Sequence, residues 1–147
     1  MVFEEIVAGF ELQTLFQLLL AVALGALIGF EREFKRRPAG LRTHMLVSLG
    51  ATIFTIVSLS FDIQPAMVAA GVVTGIGFLG AGSIIAHRGH IRGITSAATL
   101  WTVAGIGLAV GIKEYLIAIV GAILIFAILQ LGRFEKFTGE KGYDDVL

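Results

Sequence analysis

The chain contains no cysteine, which excludes disulfides, thiol catalysis and cysteine-ligated metal centres. Asparagine is absent too, and the loss of both thermolabile types suits a heat-adapted source. Charge is sparse. Asp, Glu, Lys and Arg make up 15% of the residues and cancel to a formal net charge of zero, less than a soluble domain of this size carries. No acidic or basic residue lies near the middle of any long apolar run, which leaves a lone subunit ill-equipped as a pump or coupled transporter. A positive n-region is also missing. Glu4, Glu5 and Glu11 precede the first apolar run, so a cleaved signal peptide is not expected.

What the chain has instead is hydrophobic residues, 56% of the total, with a mean hydropathy of +0.91. Five apolar segments stand out, at about 12–30, 43–61, 65–86, 94–112 and 115–132. At about 1.5 Å per residue each approaches the roughly 30 Å of a hydrocarbon core. Backbone polar groups in lipid must be satisfied within the segment, so the spans are helices. The expected fold class is all-α, a polytopic integral membrane protein with about five transmembrane helices in a compact bundle, one domain over residues 1–147. Pro38 and Gly40 fall in the first loop, Pro65 suits the first turn of helix three, and Lys113-Glu114 separates helices four and five. The basic residues are one-sided. The amino terminus and the second and fourth loops carry only Lys113, and the other ten lie in the first and third loops and the carboxyl tail. The positive-inside rule then puts the amino terminus outside and the carboxyl terminus in the cytoplasm.

The stretch Val72–Trp101, VVTGIGFLGAGSIIAHRGHIRGITSAATLW, reads as the packed centre. Glycines at Gly75, Gly77, Gly80 and Gly82 cost roughly 1 kcal/mol each in a helix in water. In lipid, small residues let helix backbones approach closely. Further small-xxx-small pairs are Gly25 with Gly29, Gly71 with Gly75, Gly107 with Gly111, and Ala118 with Ala122. They serve internal packing or a face for a second copy or a partner. Gly75 to Gly80 also matches the dinucleotide fingerprint, but it lies inside an apolar span with no preceding strand and no following acidic residue before Glu114. Nothing in the chain points to nucleic acid.

A second cluster runs from Gly29 to Thr43, GFEREFKRRPAGLRT. Lys35, Arg36 and Arg37 are explained as a topology signal. Glu31 at a helix carboxyl end and Arg42 at a helix amino end both oppose the helix dipole, so Glu31 is expected to pair with Arg42 or Arg92. His87 and His90 beside Gly89 suit a turn and make a poor metal site without a carboxylate. Thr95 or Ser96 suits the cap of helix four, and Thr99 can bond back to its own helix. Trp101 belongs in packed protein or near the interfacial belt. No nucleophile, base and orienting group can be assembled, so no enzyme is expected.

Together the blocks GALIGFEREFKRRPAGLRTHMLVSLGA, TGIGFLGAGSII and IRGITSAATLW resemble the MgtC/SapB family of inner-membrane proteins over about residues 12–134. The resemblance implies a non-enzymatic role linked to Mg²⁺ homeostasis and stress adaptation. It further implies a regulator that binds another membrane protein, such as an ATP synthase or a Mg²⁺ transporter, or its own copy in a homo-oligomer. A channel or transport subunit for Mg²⁺ or protons is the alternative, with Mg²⁺ as ligand or transported ion and no other cofactor. The family pattern falls on Glu31, Arg32, Arg42, Thr43, Gly75, Gly77, Gly80, Gly82, Arg92, Gly93, Thr95, Ser96, Thr99 and Trp101, the candidate partner-binding residues. Longer members carry a carboxyl-terminal ACT-like domain, which this chain is expected to lack.

Overall fold

The computed structural model describes residues 2–60, 64–87 and 90–135, with side chains over 11–60, 64–86 and 91–131. Five helices follow in order: α1 (Val2–Phe34), α2 (Leu41–Ser58), α3 (Pro65–Gly82), α4 (Ile94–Gly111) and α5 (Tyr115–Glu135). A short antiparallel hairpin, β1 (Ile85–His87) and β2 (His90–Arg92), stands between α3 and α4. Four helical stretches are long and apolar enough to cross a membrane, Glu11–Phe34 and the whole of α2, α3 and α4, and α5 adds the apolar run Tyr115–Leu131. The protein is a multi-pass helical membrane protein.

Helix α4 is the centre of the bundle, in contact with each of the other four helices. Ala21, Ile28, Val103, Val110, Ala118 and Ala122 form a core between α1, α4 and α5. Ala51, Ile76, Leu100 and Ala104 form a second between α2, α3 and α4. Half of these are alanine, as expected where lipid removes the hydrophobic drive and close backbone approach supplies the attraction. Many bulky residues face outward; Phe16, Phe30, Phe54, Phe78 and Leu116 are all exposed.

The small-residue pairs divide accordingly. A Cβ on Gly25 would come within 2.7 Å of the His44 carbonyl oxygen, and one on Gly29 within 2.8 Å of the Leu41 Cα. Gly107 sits equally close to Ser48 and Ala51, and Gly111 to Thr55. Ala118 and Ala122 are fully buried. These three pairs serve internal packing, joining α1 and α4 to α2 and α5 to the core. Gly71, Gly75, Gly77 and Gly82 have nothing within 4 Å of a Cβ. Helix α3 buries only Ile76 and Gly80.

Three sequence expectations are corrected here. The glycine-rich third helix is not the packed centre but a peripheral helix, because four of its five glycines line open surface while Gly107 and Gly111 of α4 meet α2. It also ends at Gly82, not near residue 86. Past Ser83 the β-branched Ile85 and Ile91 go extended in the hairpin, and Gly93 takes φ +91° where a side chain would strike the Ser83 carbonyl. Gly93 is also the residue before α4, so neither Thr95 nor Ser96 is the cap. Pro65 does occupy the first turn of α3.

Candidate functional site

The basic loops gather at one end of the bundle. Helices α1 and α2 run antiparallel and α2 runs beside α4 in parallel, so the 35–40 connection and the hairpin share that end. There α1 delivers two buried charges, Glu31 and Arg32, 6% and 5% exposed. The Arg32 guanidinium donates to Ser96 Oγ at 2.9 Å, tying α1 to the first turn of α4. Glu31 forms an ion pair with Lys35 one turn on, and Lys35 also donates to the Leu129 carbonyl of α5 at 3.0 Å. Lys35 therefore does more than signal topology, the only role its place in a basic run suggests. The buried Glu31 carboxylate must be paired, and Lys35, four residues on and bonded through its backbone N–H to the Glu31 carbonyl at the end of α1, is its neighbour. Arg42 and Arg92, the partners expected for Glu31, are both exposed.

Glu33 has a role that nothing in the sequence announces. Its carboxylate accepts the Leu41 backbone N–H at 2.7 Å, capping α2 from the preceding helix. The cap explains Gly40, since a Cβ there would collide with that carboxylate.

The remaining candidates separate into two sets. Ser96 and Thr99 are buried with Glu31 and Arg32 in the polar anchor. Thr99 donates to the Ser96 carbonyl at 2.8 Å, the back-bond expected of it. Thr43, Gly75, Gly77, Gly82, Arg92, Thr95 and Trp101 are exposed. Trp101 is thus outward-facing rather than packed. Gly80 belongs to neither set, lying against Ala97 of α4. A groove of about 350 Å³ joins the second set to the first loop, lined in part by Pro38, Thr43, Phe78, Gly82 and Ile85. His87 and His90 pair across the hairpin in backbone register; their side chains lie outside the described residues. No group of three or more His, Asp or Glu able to hold a metal occurs among the described residues.

A polar seam is a further feature that the sequence motifs do not mark. His44, Ser48, Thr52, Thr55 and Ser58 are all buried on one face of α2. Thr52 donates to the carbonyls of Ser48 and Gly107, and Gln17 of α1 donates to those of Val110 and Gly111 at 2.7 and 2.9 Å. The signal is present as spacing: steps of four, four, three and three residues keep these side chains on one helical face.

A model of the MgtC family matches residues 18–136, a span that includes both residue sets. The chain belongs to the MgtC family. Among curated relatives, MgtC of Salmonella typhimurium (strain LT2) is 47% identical over 109 residues, 74% of this chain and 47% of that protein. MgtC of Brucella abortus is 47% identical over 115 residues, 77% of this chain and 48% of that protein. YhiD of Escherichia coli K12, whose name marks it as a candidate magnesium transporter, is 41% identical over 131 residues, 82% of this chain and 60% of that protein. This MgtC-family chain thus spans about half to three fifths of the length of these relatives. No solved structure matches it significantly.

Proposed function

We propose that this chain is a non-enzymatic regulator of the inner membrane, linked to Mg²⁺ homeostasis and stress adaptation, that binds another membrane protein through α3 and the start of α4. The observation that carries it is the open surface over Gly71, Gly75, Gly77 and Gly82. Lipid could cover such a face, and Phe78 and Leu79 beside it suit lipid well. Four glycines do not, because a bare helix backbone gains most from the close approach of a second helix. The exposed Thr95 and Trp101 of α4, with the groove beside the hairpin, extend the surface toward the basic end. By the positive-inside rule that end is cytoplasmic. The Mg²⁺ link rests on the relatives' names and the family resemblance.

The test is co-purification of the wild type beside Gly77→Leu, with membrane insertion followed separately. Association lost in the variant while insertion is intact supports the proposal; equal association refutes it. Gly80→Leu is unsuitable, since Gly80 packs against Ala97 inside the chain.

The buried seam on α2 favours a second reading, a channel or transport subunit for Mg²⁺ or protons. It offers hydroxyls and carbonyls with no carboxylate beyond Glu31, so protons suit it better than Mg²⁺, which keeps carboxylates and water about it. This reading expects flux in proteoliposomes that is lost in Glu31→Ala. Flux equal to that of empty liposomes counts against it.

A further inference from the structure

His44 is fully buried, held between Gly25 and Gly29 of α1 and Thr99 of α4. Three hydrogen bonds meet around it. Its Nδ1 lies 2.8 Å from the Gly40 carbonyl oxygen, which can only accept, so Nδ1 carries hydrogen. Its Nε2 lies 3.2 Å from Thr99 Oγ, and Thr99 directs its single hydroxyl hydrogen at the Ser96 carbonyl, 2.8 Å away.

A neutral imidazole with hydrogen on Nδ1 has only a lone pair at Nε2. It can be satisfied only if Thr99 turns its hydrogen away from Ser96 and toward the ring. All three bonds are made without dividing one hydrogen between two acceptors only when Nε2 also carries hydrogen and donates to Thr99. The geometry points to His44 as a proton-binding site of this protein, whose occupancy decides whether the Thr99 hydroxyl serves the imidazole or the first turn of α4. On protonation, a proton from water adds to Nε2 and the Thr99 hydrogen turns to the Ser96 carbonyl. On release, the proton returns to water and Thr99 donates to Nε2.

The charged groups that act on His44 from α1 are Arg32 and Glu31, with Lys35 beside Glu31. Helix α4 presents only the neutral Ser96 and Thr99, and on α2 the neighbouring Arg42 is exposed. The site sits at the anchor between α1 and α4, because Ser96 also receives the Arg32 guanidinium. The site stands on bonds within the chain and does not depend on the docking proposal.

The test uses the full chain in lipid nanodiscs. His87→Gln with His90→Gln leaves His44 as the lone imidazole, and its ¹⁵N resonances are followed from about pH 5 to 8. Trp101, the single tryptophan, lies two residues beyond Thr99 and reports on α4 by its emission. The expected result is reversible titration of the His44 ring, with a change in Trp101 emission at the same midpoint. In Thr99→Val the ring should still titrate while the Trp101 change is lost. His44→Gln should abolish the change, and if that variant does not fold, Thr99→Val decides. A His44 ring held in one protonation state throughout would overturn the inference. So would a Trp101 change that persists in either variant.

Discussion

Gly107→Ala is the substitution that most sharply separates the internal glycines of this bundle from the external ones. A Cβ at Gly107 would fall on the Ser48 carbonyl oxygen and within 2.8 Å of the Ala51 side chain. Contact of the ordinary kind begins near 3.4 Å, so α2 and α4 must move apart locally. Overpacking of this kind costs about 1–3 kcal/mol. The movement also stretches the 2.9 Å bond from Thr52 to the Gly107 carbonyl, an interhelical bond worth about 0.6 kcal/mol on average in membrane bundles. Replacing glycine by alanine in a helix returns about 1 kcal/mol. The net destabilisation is about 0.6–2.6 kcal/mol, roughly three- to seventy-fold in the unfolding equilibrium constant at about 1.4 kcal/mol per decade. Reversible unfolding in mixed detergent and SDS micelles measures it, with Gly77→Ala as control. Gly77 has open space, so its variant should match the wild type or gain up to about 1 kcal/mol. A Gly107→Ala chain as stable as the wild type, or a Gly77→Ala chain equally weakened, would refute the assignment of faces.

Other positions follow from the same geometry. Gln17→Leu removes the two bonds to the end of α4 and should cost about 1–2 kcal/mol by the same unfolding assay. Gly93→Ala forces a side chain into a left-handed backbone and against the Ser83 carbonyl, so it should lose at least about 1 kcal/mol and expose the hairpin to faster proteolysis. Arg36, which closes α1 at φ 51°, should behave oppositely; Arg36→Gly relieves the strain and should raise thermal stability by up to about 1 kcal/mol.

Much of this architecture is legible in the chain because lipid imposes simple rules. Segments free of mid-span charge, separated by Pro38-Gly40, Pro65 and Lys113-Glu114, give five helices whose observed bounds differ from the expected ones mainly at the ends of α1 and α3. Glycine patterning is a weaker guide. Gly71 with Gly75 and Gly107 with Gly111 have the same spacing, yet one pair meets nothing and the other meets Ser48 and Thr55. Spacing fixes which residues share a face and says nothing of what lies opposite it. The buried charges are hard to read for a related reason. Opposition to helix dipoles matches Glu31 with Arg42 on a few tenths of a kcal/mol, whereas the burial of Glu31 makes its pairing with Lys35 the stronger effect. His44 escapes notice in the sequence because its place on the polar stripe of α2 marks a face and not the bonds that its ring makes. Only the three bonds around it reveal its chemistry.

The most direct test of the docking proposal is cross-linking in native membranes from single cysteines, which the cysteine-free chain accepts without background. A photoreactive maleimide is placed at Gly77→Cys on α3 and, for comparison, at Ile123→Cys on the exposed surface of α5. The account predicts a discrete protein adduct from Gly77→Cys, absent from Ile123→Cys and lost when Gly75→Leu is added. Identical adduct profiles from the two positions, or lipid adducts alone from both, would contradict it.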